Sequence, residues 1–459
     1  MPTARPNFIV FLTDDQGYAD LSCMGETDFR TPHLDRLASS GVRFTDWYSN
    51  SPVCSPSRAA LLTGRYPGNA GVRAILAGHR TASGLPQHVT TLATSLGELG
   101  YRTAMVGKWH LGLAAGSRPG DHGFQEWFGF LAGCVDYYSH IFYWGQGRGH
   151  DPLHDLWEND REVWHNGQYL TDLITERAVQ FIRRAAREGR PFFLYVPYNA
   201  PHYPMHAPQK VVDRFPHLAP DRRIMAAMLS AVDDGVGAVL AELERQGIRE
   251  NTCIHFQSDN GPSRETRNWL DGTPDPYYGG SAGLLKGHKF SLYEGGIRVP
   301  GLLSWPARIP AGQVISEPAA AMDVFPTFLR AAGGDPARYE LDGRDLLPMV
   351  ADGQPGPHEA LFWEMNDQTA VRRGPWKLVL NGRLVEGAAP EDAVHLANLA
   401  EDMGERHNLA ATHAGLAASL RREAEDWRRS IEDRWAREYE PLSRGPNGVP
   451  LTTTYPRGA

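Results

Sequence analysis

Acids, amides, cations and histidines follow four apolar runs of strand length in this chain. Asp14-Asp15 follows the first run, Gly107–His110 the second, Asn199–His202 the third and Ser258–Gly261 the fourth. Ligands of open α/β sheets collect beyond the C-terminal ends of the strands, so we expect these side chains to gather at one edge. A single Asp or Asn after a strand is typical of a helix or turn cap. The concurrence of four such groups is what indicates a site.

Four of these side chains offer only oxygen ligands: Asp14, Asp15, Asp259 and Asn260. Such a set suits a hard divalent cation, Ca²⁺ or Mg²⁺, and disfavours Zn²⁺. Adjacent carboxylates with a side-chain amide form an irregular cage, which Ca²⁺ tolerates better than octahedral Mg²⁺ does. The residues therefore predict one Ca²⁺ ion, with Mg²⁺ as the alternative.

Cys54 stands outside any apolar run, directly before Ser55-Pro56. Ser55 suits a helix cap and Pro56 the first helical position, so residue 54 is expected just ahead of a helix N-terminus, where an anion is favoured. A thiolate nucleophile would need a cationic or histidine partner, such as His110 or His202, and the nearby carboxylates oppose it. A thiolate is also a poor ligand for an oxygen-bound hard cation, whereas an oxygen group at position 54 fits well.

The elements that would position these residues alternate between helices and strands. Strands are predicted over Phe8–Thr13, Thr103–Val106, Pro191–Val196 and Cys253–Gln257, and helices over Leu92–Leu99, Ile174–Ala186 and Ile224–Leu243. Repeated helix-then-strand units favour an α/β domain with a largely parallel sheet.

The character of the sequence changes near residue 350. The stretch 352–357 is typical of a linker, and short strands are predicted after it over Ala360–Trp363 and Trp376–Leu380. A charged helix is predicted over Leu416–Arg437. We therefore predict a catalytic domain over residues 1–350 and a C-terminal α+β subdomain, a small antiparallel sheet plus a helix, over residues 351–459.

Composition limits the class of protein and its partners. A chain of 459 residues exceeds the size at which one core usually stops growing. Its net charge of −8 disfavours nucleic acid and anionic membranes as partners, and four scattered cysteines suit a reducing compartment. The first apolar run, Phe8 to Leu12, is too short for a signal or a membrane span, which favours a cytoplasmic location. A signal trimmed from the chain would instead make the protein periplasmic or secreted.

Cys54-Ser55-Pro56-Ser57-Arg58 has the C-x-P-x-R form of type I sulfatases. That family resembles alkaline phosphatases in fold, and its cysteine is oxidised after translation to formylglycine. Further stretches resemble the family in its own order: Thr13–Gly17, Leu61–Tyr66, Gly107–Gly112, Ala200–His202, Ser258–Gly261, Tyr293–Pro300 and Val371–Leu378. The resemblance implies an α/β fold with a large mixed, mostly parallel sheet sandwiched by helices. The loop Gly133–His140 is similar to that of N-acetylgalactosamine-4-sulfatase-like arylsulfatases.

The resemblance also implies roles for individual residues. The formylglycine made from Cys54 would hold Ca²⁺ together with the four oxygen-bearing side chains. Arg58 and Lys108 would steady its hydroxyls. The hydrated formylglycine, a gem-diol, would attack sulfur with one of its hydroxyls. His110 would then act as a base and deprotonate the second hydroxyl, which expels sulfate and restores the aldehyde.

Two more residues are implied to act on the sulfate group. His202 and Lys289 would hold sulfate and assist the leaving group. Lys289 is preferred to Lys286 because it lies five residues before Glu294, the spacing associated with the family.

The sequence thus predicts a sulfuric ester hydrolase for sulfate monoesters, acting on a sulfated carbohydrate or other small molecule and also on aryl sulfates. A formylglycine-generating enzyme would be its partner during maturation. Two alternatives stay open. One is a phosphonate monoester or phosphodiester hydrolase of the same superfamily. The other is a non-catalytic sulfated-glycan-binding protein whose Cys54 stays a thiol.

Overall fold

The protein contains a large mixed sheet, which lies between layers of helices, and a separate, smaller antiparallel sheet. The computed structural model describes residues 5–25, 27–143, 151–264 and 279–440. The strands are β1 (Asn7–Thr13), β2 (Val42–Phe44), β3 (Trp47–Tyr48), β4 (Arg102–Lys108), β5 (Glu126–Phe130), β6 (Ile141–Phe142), β7 (Leu153–His154), β8 (Trp157–Glu158), β9 (Arg161–Glu162), β10 (Phe192–Pro197), β11 (Thr252–Ser258), β12 (Gly301–Ser304), β13 (Gln313–Ile315), β14 (Ala319–Ala320), β15 (Ala360–Met365), β16 (Gln368–Arg373), β17 (Trp376–Gly382) and β18 (Asp392–Asn398). The α-helices are α1 (Pro32–Ser39), α2 (Cys54–Thr63), α3 (Pro67–Ala70), α4 (Leu92–Glu98), α5 (Leu170–Glu188), α6 (Gln209–Val212), α7 (Pro220–Arg245), α8 (Glu294–Ile297), α9 (Val324–Ala331), α10 (Leu347–Asp352) and α11 (Ala414–Glu438).

The large sheet has the strand order β13-β2-β12-β11-β1-β10-β4-β5-β8-β9. Its centre, from β11 to β5, is parallel, and antiparallel pairs join β12 and β8 to that centre. All seven residues of β1 are buried, which explains why its sequence is almost uniformly apolar: a central parallel strand has both faces covered. The predicted large mixed sheet is confirmed.

Helices cover both faces of this sheet, as two aromatic contacts show. Phe8 and Phe193 are paired across β1 and β10, and Phe8 stacks on Phe328 of α9 with ring centroids 4.6 Å apart. The neighbouring Phe192 points to the opposite face because side chains alternate along a strand, and it meets Phe181 of α5 at 5.5 Å. The sheet is therefore sandwiched between helices.

The predicted helices and strands are present, with shifted ends. Helix α7 begins at Pro220 rather than at Ile224. Its first turn is Pro220-Asp221-Arg222-Arg223. Because this turn has no large apolar side chain, the 3.6-residue spacing of apolar residues that predicts the helix begins only after it. Pro220 fits a first turn because the N–H that proline lacks has no partner within a helix there.

Helix α7 is also the one helix in the described ranges with the length and apolar composition to cross a membrane. Within its apolar window 78% is buried inside the protein, where the helix packs against α5 and α1. The apolar character of α7 is therefore that of a core helix.

The small sheet has the antiparallel order β15-β16-β17-β18, and α11 packs on it. The predicted α+β unit is thus present, while its boundary near residue 350 stays a prediction and residues 441–459 lie outside the described ranges. The unit contacts the segment between β3, which pairs with β14, and α2: Trp363 Nε1 donates to the carbonyl of Ser49 at 2.8 Å. Inside it, Phe362 and Trp427 stack with centroids 5.2 Å apart.

A buried histidine of β11 makes stability depend on pH. Burial lowers the pKa of His255 to about 4, whereas an exposed histidine in the unfolded chain has a pKa of about 6.5. Below pH 6.5 the unfolded chain therefore gains a proton that folded His255 does not accept, and stability is lost as pH falls towards 4. We predict that, between pH 7 and pH 5, the free energy of unfolding of His255→Gln falls by about 2 kcal/mol less than that of the wild-type protein. Urea titrations at both pH values measure this, and equal losses would contradict it.

Candidate active site

Cys54 lies at the start of α2 and is only 1% exposed. The helix begins two residues earlier than predicted: Val53 is the N-cap and Cys54 the first helical residue. Ser55 is therefore not the cap, and its Oγ accepts a hydrogen bond from Leu76 N at 3.1 Å instead. Pro56 is tolerated because the first four N–H groups of a helix lack partners within it. Residue 54 still faces the electropositive end of the helix.

The thiol of Cys54 sits against a carboxylate, with Sγ 3.6 Å from Asp14 Oδ1. Burial raises the pKa of this thiol far above its ordinary value, and Asp259 and Asp14 raise it further against the opposing charges of Lys108 and Lys289. The thiol is therefore protonated at neutral pH, and a thiolate nucleophile does not fit this site.

Two neighbouring strands bring the acids together. Strands β1 and β11 are parallel and in register from Asn7–Thr252 to Thr13–Ser258, so the residues that follow each strand share one edge. Asn260 Nδ2 donates to Asp15 Oδ1 at 2.7 Å, and the backbone N–H of Asp15 donates to Asp259 Oδ1 at 3.1 Å.

The donor set fits a bound cation. Ligand atoms of Asp14, Asp15, Cys54 and His202 all lie within 4.8 Å of one another. The predicted ligand Asp259 is not in this group: its Oδ2 binds Arg58 and its Oδ1 accepts from Asp15 N. Asn260 Oδ1 is buried and has no hydrogen-bond partner within the described part of the chain, as expected of an oxygen reserved for a ligand. Burial and the negative charge of Asp14 raise the pKa of Asp259 to about 7, and the positive charge of a bound metal ion would lower it again.

Two fully buried cations, Arg58 and Lys108, pair with these acids. Arg58 binds Asp259 Oδ2 through NH2 at 2.8 Å and Nε at 3.1 Å, and it donates to the carbonyl of Lys108 at 3.1 Å. Lys108 Nζ lies 2.5 Å from Asp14 Oδ2. Arg58 and Lys108, which were predicted to hold the side chain at position 54, therefore lie in the same charge cluster as that side chain. With a cysteine at position 54, both of these cations pair with carboxylates.

His110 is buried and neutral. Burial and the charges of Lys108 and Arg58 hold its pKa well below the ordinary value. Its Nε2 lies 3.2 Å from the carbonyl of Leu76, which only accepts, so Nε2 carries the proton and Nδ1 has the lone pair. Gly133 makes room for this ring, because a Cβ there would lie 2.7 Å from Nε2.

His202 and Lys289 meet on the other side of the acids. Lys289 Nζ lies 2.8 Å from Asp15 Oδ2 and 3.3 Å from His202 Nε2. His202 Nδ1 donates to the carbonyl of Tyr203 at 2.8 Å, so Nε2 accepts from Lys289. Burial, against the favourable charge of Asp15, lowers the pKa of His202 to about 3. Burial opposes ionisation of Asp15, but Lys289, His202 and Asn260 together outweigh it and the pKa of Asp15 falls to about 2.

The alternative lysine is engaged elsewhere. Lys286 Nζ lies 2.7 Å from Glu391 and 4.3 Å from the centroid of the Tyr293 ring. The choice of Lys289 over Lys286 thus agrees with the geometry.

Sequence reasoning missed residues that support the site through the backbone. The phenol oxygen of Tyr137 lies 2.9 Å from the carbonyls of both Asn199 and His202 and so ties down the turn that carries His202. Ser49 Oγ lies 2.6 Å from the carbonyl of Asp259. Neither role has a sequence signal, because each bond joins segments far apart in the chain.

Comparisons with known proteins place this architecture in a family. The family model described as Sulfatase matches residues 6–334, and the chain belongs to that family. It is 35% identical to N-acetylgalactosamine-6-sulfatase of Canis lupus familiaris over 389 residues, which cover 81% of this chain and 71% of the relative. It is 35% identical to Arylsulfatase J of Mus musculus over 380 residues, 82% of this chain and 60% of that protein.

A solved structure agrees. Ps i-CgsB in complex with k-i-k-neocarrahexaose is 34% identical, with a TM-score of 0.81 and 92% of each chain covered. The predicted family and the alkaline-phosphatase-like fold are confirmed, and the chain is a sulfuric ester hydrolase.

The acid cluster should bind a divalent cation and gain stability from it. At a free ion concentration of 100 Kd, binding to the folded state alone adds about 2.7 kcal/mol to the free energy of unfolding. We expect this gain in wild type and its loss in Asp15→Asn, measured by thermal unfolding with the ion and with chelator.

A matched control comes from a second group of possible ligands, His33, Asp233 and Asp234. Asp234→Asn should keep the wild-type gain. Loss of the gain in Asp234→Asn but not in Asp15→Asn would place the ion outside the proposed site.

Proposed function

We propose that this chain hydrolyses sulfate monoesters of a saccharide, and simple aryl sulfates, with a formylglycine made from Cys54 and with Ca²⁺. The observation that carries the proposal is the environment of Cys54. The side chain lies at a helix N-terminus, 3.6 Å from Asp14 Oδ1, among buried carboxylates and cations. A protonated thiol there is neither a good nucleophile nor a good ligand for a hard cation, whereas an oxygen-bearing side chain serves both purposes.

Ca²⁺ is the cation that this donor set favours. Asp14, Asp15, Asp259 and Asn260 supply carboxylate and amide oxygens in an irregular arrangement. When bound, the ion would polarise the sulfate oxygens and acidify a hydroxyl at position 54. With the ion bound, the site would contain three carboxylates, one divalent cation and three basic side chains. Its net charge would be about +2, which favours an anionic substrate.

The side chains around position 54 have distinct tasks. Arg58 and Lys108 hold the oxygens of the hydrated formylglycine in place. His110, neutral and with its lone pair on Nδ1, accepts the proton whose removal expels sulfate. His202 and Lys289 form one unit, in which Lys289 Nζ donates to His202 Nε2 at 3.3 Å and offers its charge to the sulfate oxygens.

Formylglycine supplies the chemistry that a serine would lack. Its hydrate has one hydroxyl for attack on sulfur and a second whose deprotonation releases sulfate, so no water needs to attack a crowded sulfate ester. Its formation requires a formylglycine-generating enzyme as the partner during maturation. The C-x-P-x-R stretch around Cys54 is the feature that supports this partner.

A sulfated saccharide is the substrate class that the relatives support. Ps i-CgsB is described with a bound neocarrahexaose, and the relative from Canis lupus familiaris is named for a sulfated amino sugar. Both share about a third of their residues with this chain over most of its length.

Mass spectrometry of the peptide containing residues 54–58, combined with a kinetic assay, tests the nucleophile. We predict formylglycine at position 54 in protein from a host that carries the maturation enzyme. Cys54→Ala should lower kcat by at least about 10³-fold, because a covalent nucleophile is lost, and should keep the native circular dichroism spectrum. Cys23→Ala is the matched control and should retain activity, since that thiol lies outside the acid cluster. A Cys54→Ala enzyme within tenfold of wild type would contradict the assignment.

Substrate selection separates the proposal from its alternatives. We predict that kcat/KM for p-nitrophenyl sulfate exceeds that for p-nitrophenyl phosphonate and phosphodiester substrates by at least about tenfold, a transition-state difference of about 1.4 kcal/mol. The reverse order would favour a phosphonate monoester or phosphodiester hydrolase. Formylglycine-free protein that binds sulfated glycans without turnover would favour the binding protein.

A further inference from the structure

The turn that carries Lys289 has an unfavourable backbone conformation. Phe290, the next residue, has φ = +72°, in the left-handed region that a bulky side chain rarely adopts. Such a conformation persists only when the surrounding structure holds it. Because Phe290 directly follows Lys289, its backbone sets the direction in which the chain passes Asp15 and His202.

Two hydrogen bonds hold the peptide groups of Phe290. Its N–H donates to the carbonyl of Pro52 at 3.0 Å, two residues before Cys54. Its carbonyl accepts from Nε2 of Gln368 at 2.8 Å. The first bond ties the turn to the start of α2, and the second ties it to the small C-terminal sheet.

Gln368 is built to act as a clamp. It is the first residue of β16 and is 1% exposed. Its Oε1 accepts from Leu292 N at 3.4 Å and from Arg383 N at 3.1 Å, while its Nε2 donates to Phe290. One buried amide thus binds the main chain of the turn at two points and the strand connection of its own sheet at a third.

We propose that Gln368 is a positioning residue for Lys289. By fixing Phe290 in the left-handed conformation, it keeps Lys289 Nζ at 2.8 Å from Asp15 Oδ2 and 3.3 Å from His202 Nε2. The small C-terminal sheet therefore contributes to the active site through Gln368, which positions Lys289 by binding the main chain and does not contact substrate. The inference rests on the function proposed above for Lys289.

The test is a double-mutant cycle in formylglycine-bearing enzyme. Gln368→Met keeps the volume of the side chain but removes both polar atoms. We expect it to lower kcat/KM for p-nitrophenyl sulfate by about 10- to 100-fold, the effect of a displacement of about 1 Å at a reacting group. In a Lys289→Ala background the same change should cost less than about twofold, because there is no longer an amine to misplace.

Binding of inorganic sulfate provides a readout apart from turnover. The apparent Kd of sulfate, from thermal shift, should weaken in Gln368→Met and not weaken further when Lys289→Ala is combined with it. Gln368→Glu is the second variant: it keeps the acceptor and loses the amide donor to Phe290, so it should show the same pattern if Gln368→Met does not fold.

Asn408, in the loop between β18 and α11, offers a matched control beside the same small sheet. Its Nδ2 donates to the carbonyl of Val394 at 2.9 Å and its Oδ1 accepts from Leu396 N at 3.2 Å, so it clamps main chain as Gln368 does. Asn408→Ala should leave kcat/KM within about twofold of wild type.

Three results would overturn the inference while leaving the role of Lys289 intact. They are unchanged kinetics in both Gln368 variants, an equal cost of Gln368→Met with and without Lys289, or an equal loss in Asn408→Ala. Reduced activity of Lys289→Ala beside unaffected Gln368 variants would overturn the inference alone. Full activity of Lys289→Ala would overturn the role of Lys289 and the inference with it.

Discussion

The structure depends on the mutual compensation of buried charges at the carboxyl edge of the large sheet. Three carboxylates and three basic side chains are withdrawn from water there, and each unpaired charge would cost several kcal/mol. The charges are equal in number, but burial and the charge of Asp14 still raise the pKa of Asp259 to about 7, and Asn260 Oδ1 has no partner among the described residues. We propose that a divalent cation binds at this edge. On that proposal, metal binding and folding of the edge are coupled.

The pairing of the strands determines where these charged side chains lie. Parallel pairing of β1 with β11 and with β10 brings residues from widely separated parts of the chain to the same edge. Three site segments then turn through positive φ: Asp15 at +64°, His110 at +55° and Phe290 at +72°. These conformations are unfavourable for residues with side chains, and each is held by hydrogen bonds from neighbouring segments. The precision of the site is therefore supplied by the surrounding fold.

The central elements and the family could be predicted because their signals are local. Phe8–Thr13 is a run of apolar residues as long as a strand, and the C-x-P-x-R stretch is contiguous. The start of α2 was misplaced because Ser55 has the chemistry of a cap, yet in the structure its hydroxyl bonds Leu76, a contact 21 residues away. The clamp between Gln368 and Phe290 joins residues 78 positions apart, so no local pattern reports it. Protonation of His110 depended likewise on burial and on the carbonyl of Leu76.

The most direct test of the central claim is anomalous X-ray diffraction from crystals of the formylglycine-bearing protein grown with Ca²⁺. We expect a single ion whose oxygen ligands lie at about 2.3–2.6 Å and include Asp14, Asp15, Asn260 Oδ1 and the side chain at position 54. Absence of an ion there at saturating Ca²⁺, or an ion bound at His33, Asp233 and Asp234 instead, would show that the acid cluster is not a Ca²⁺ site.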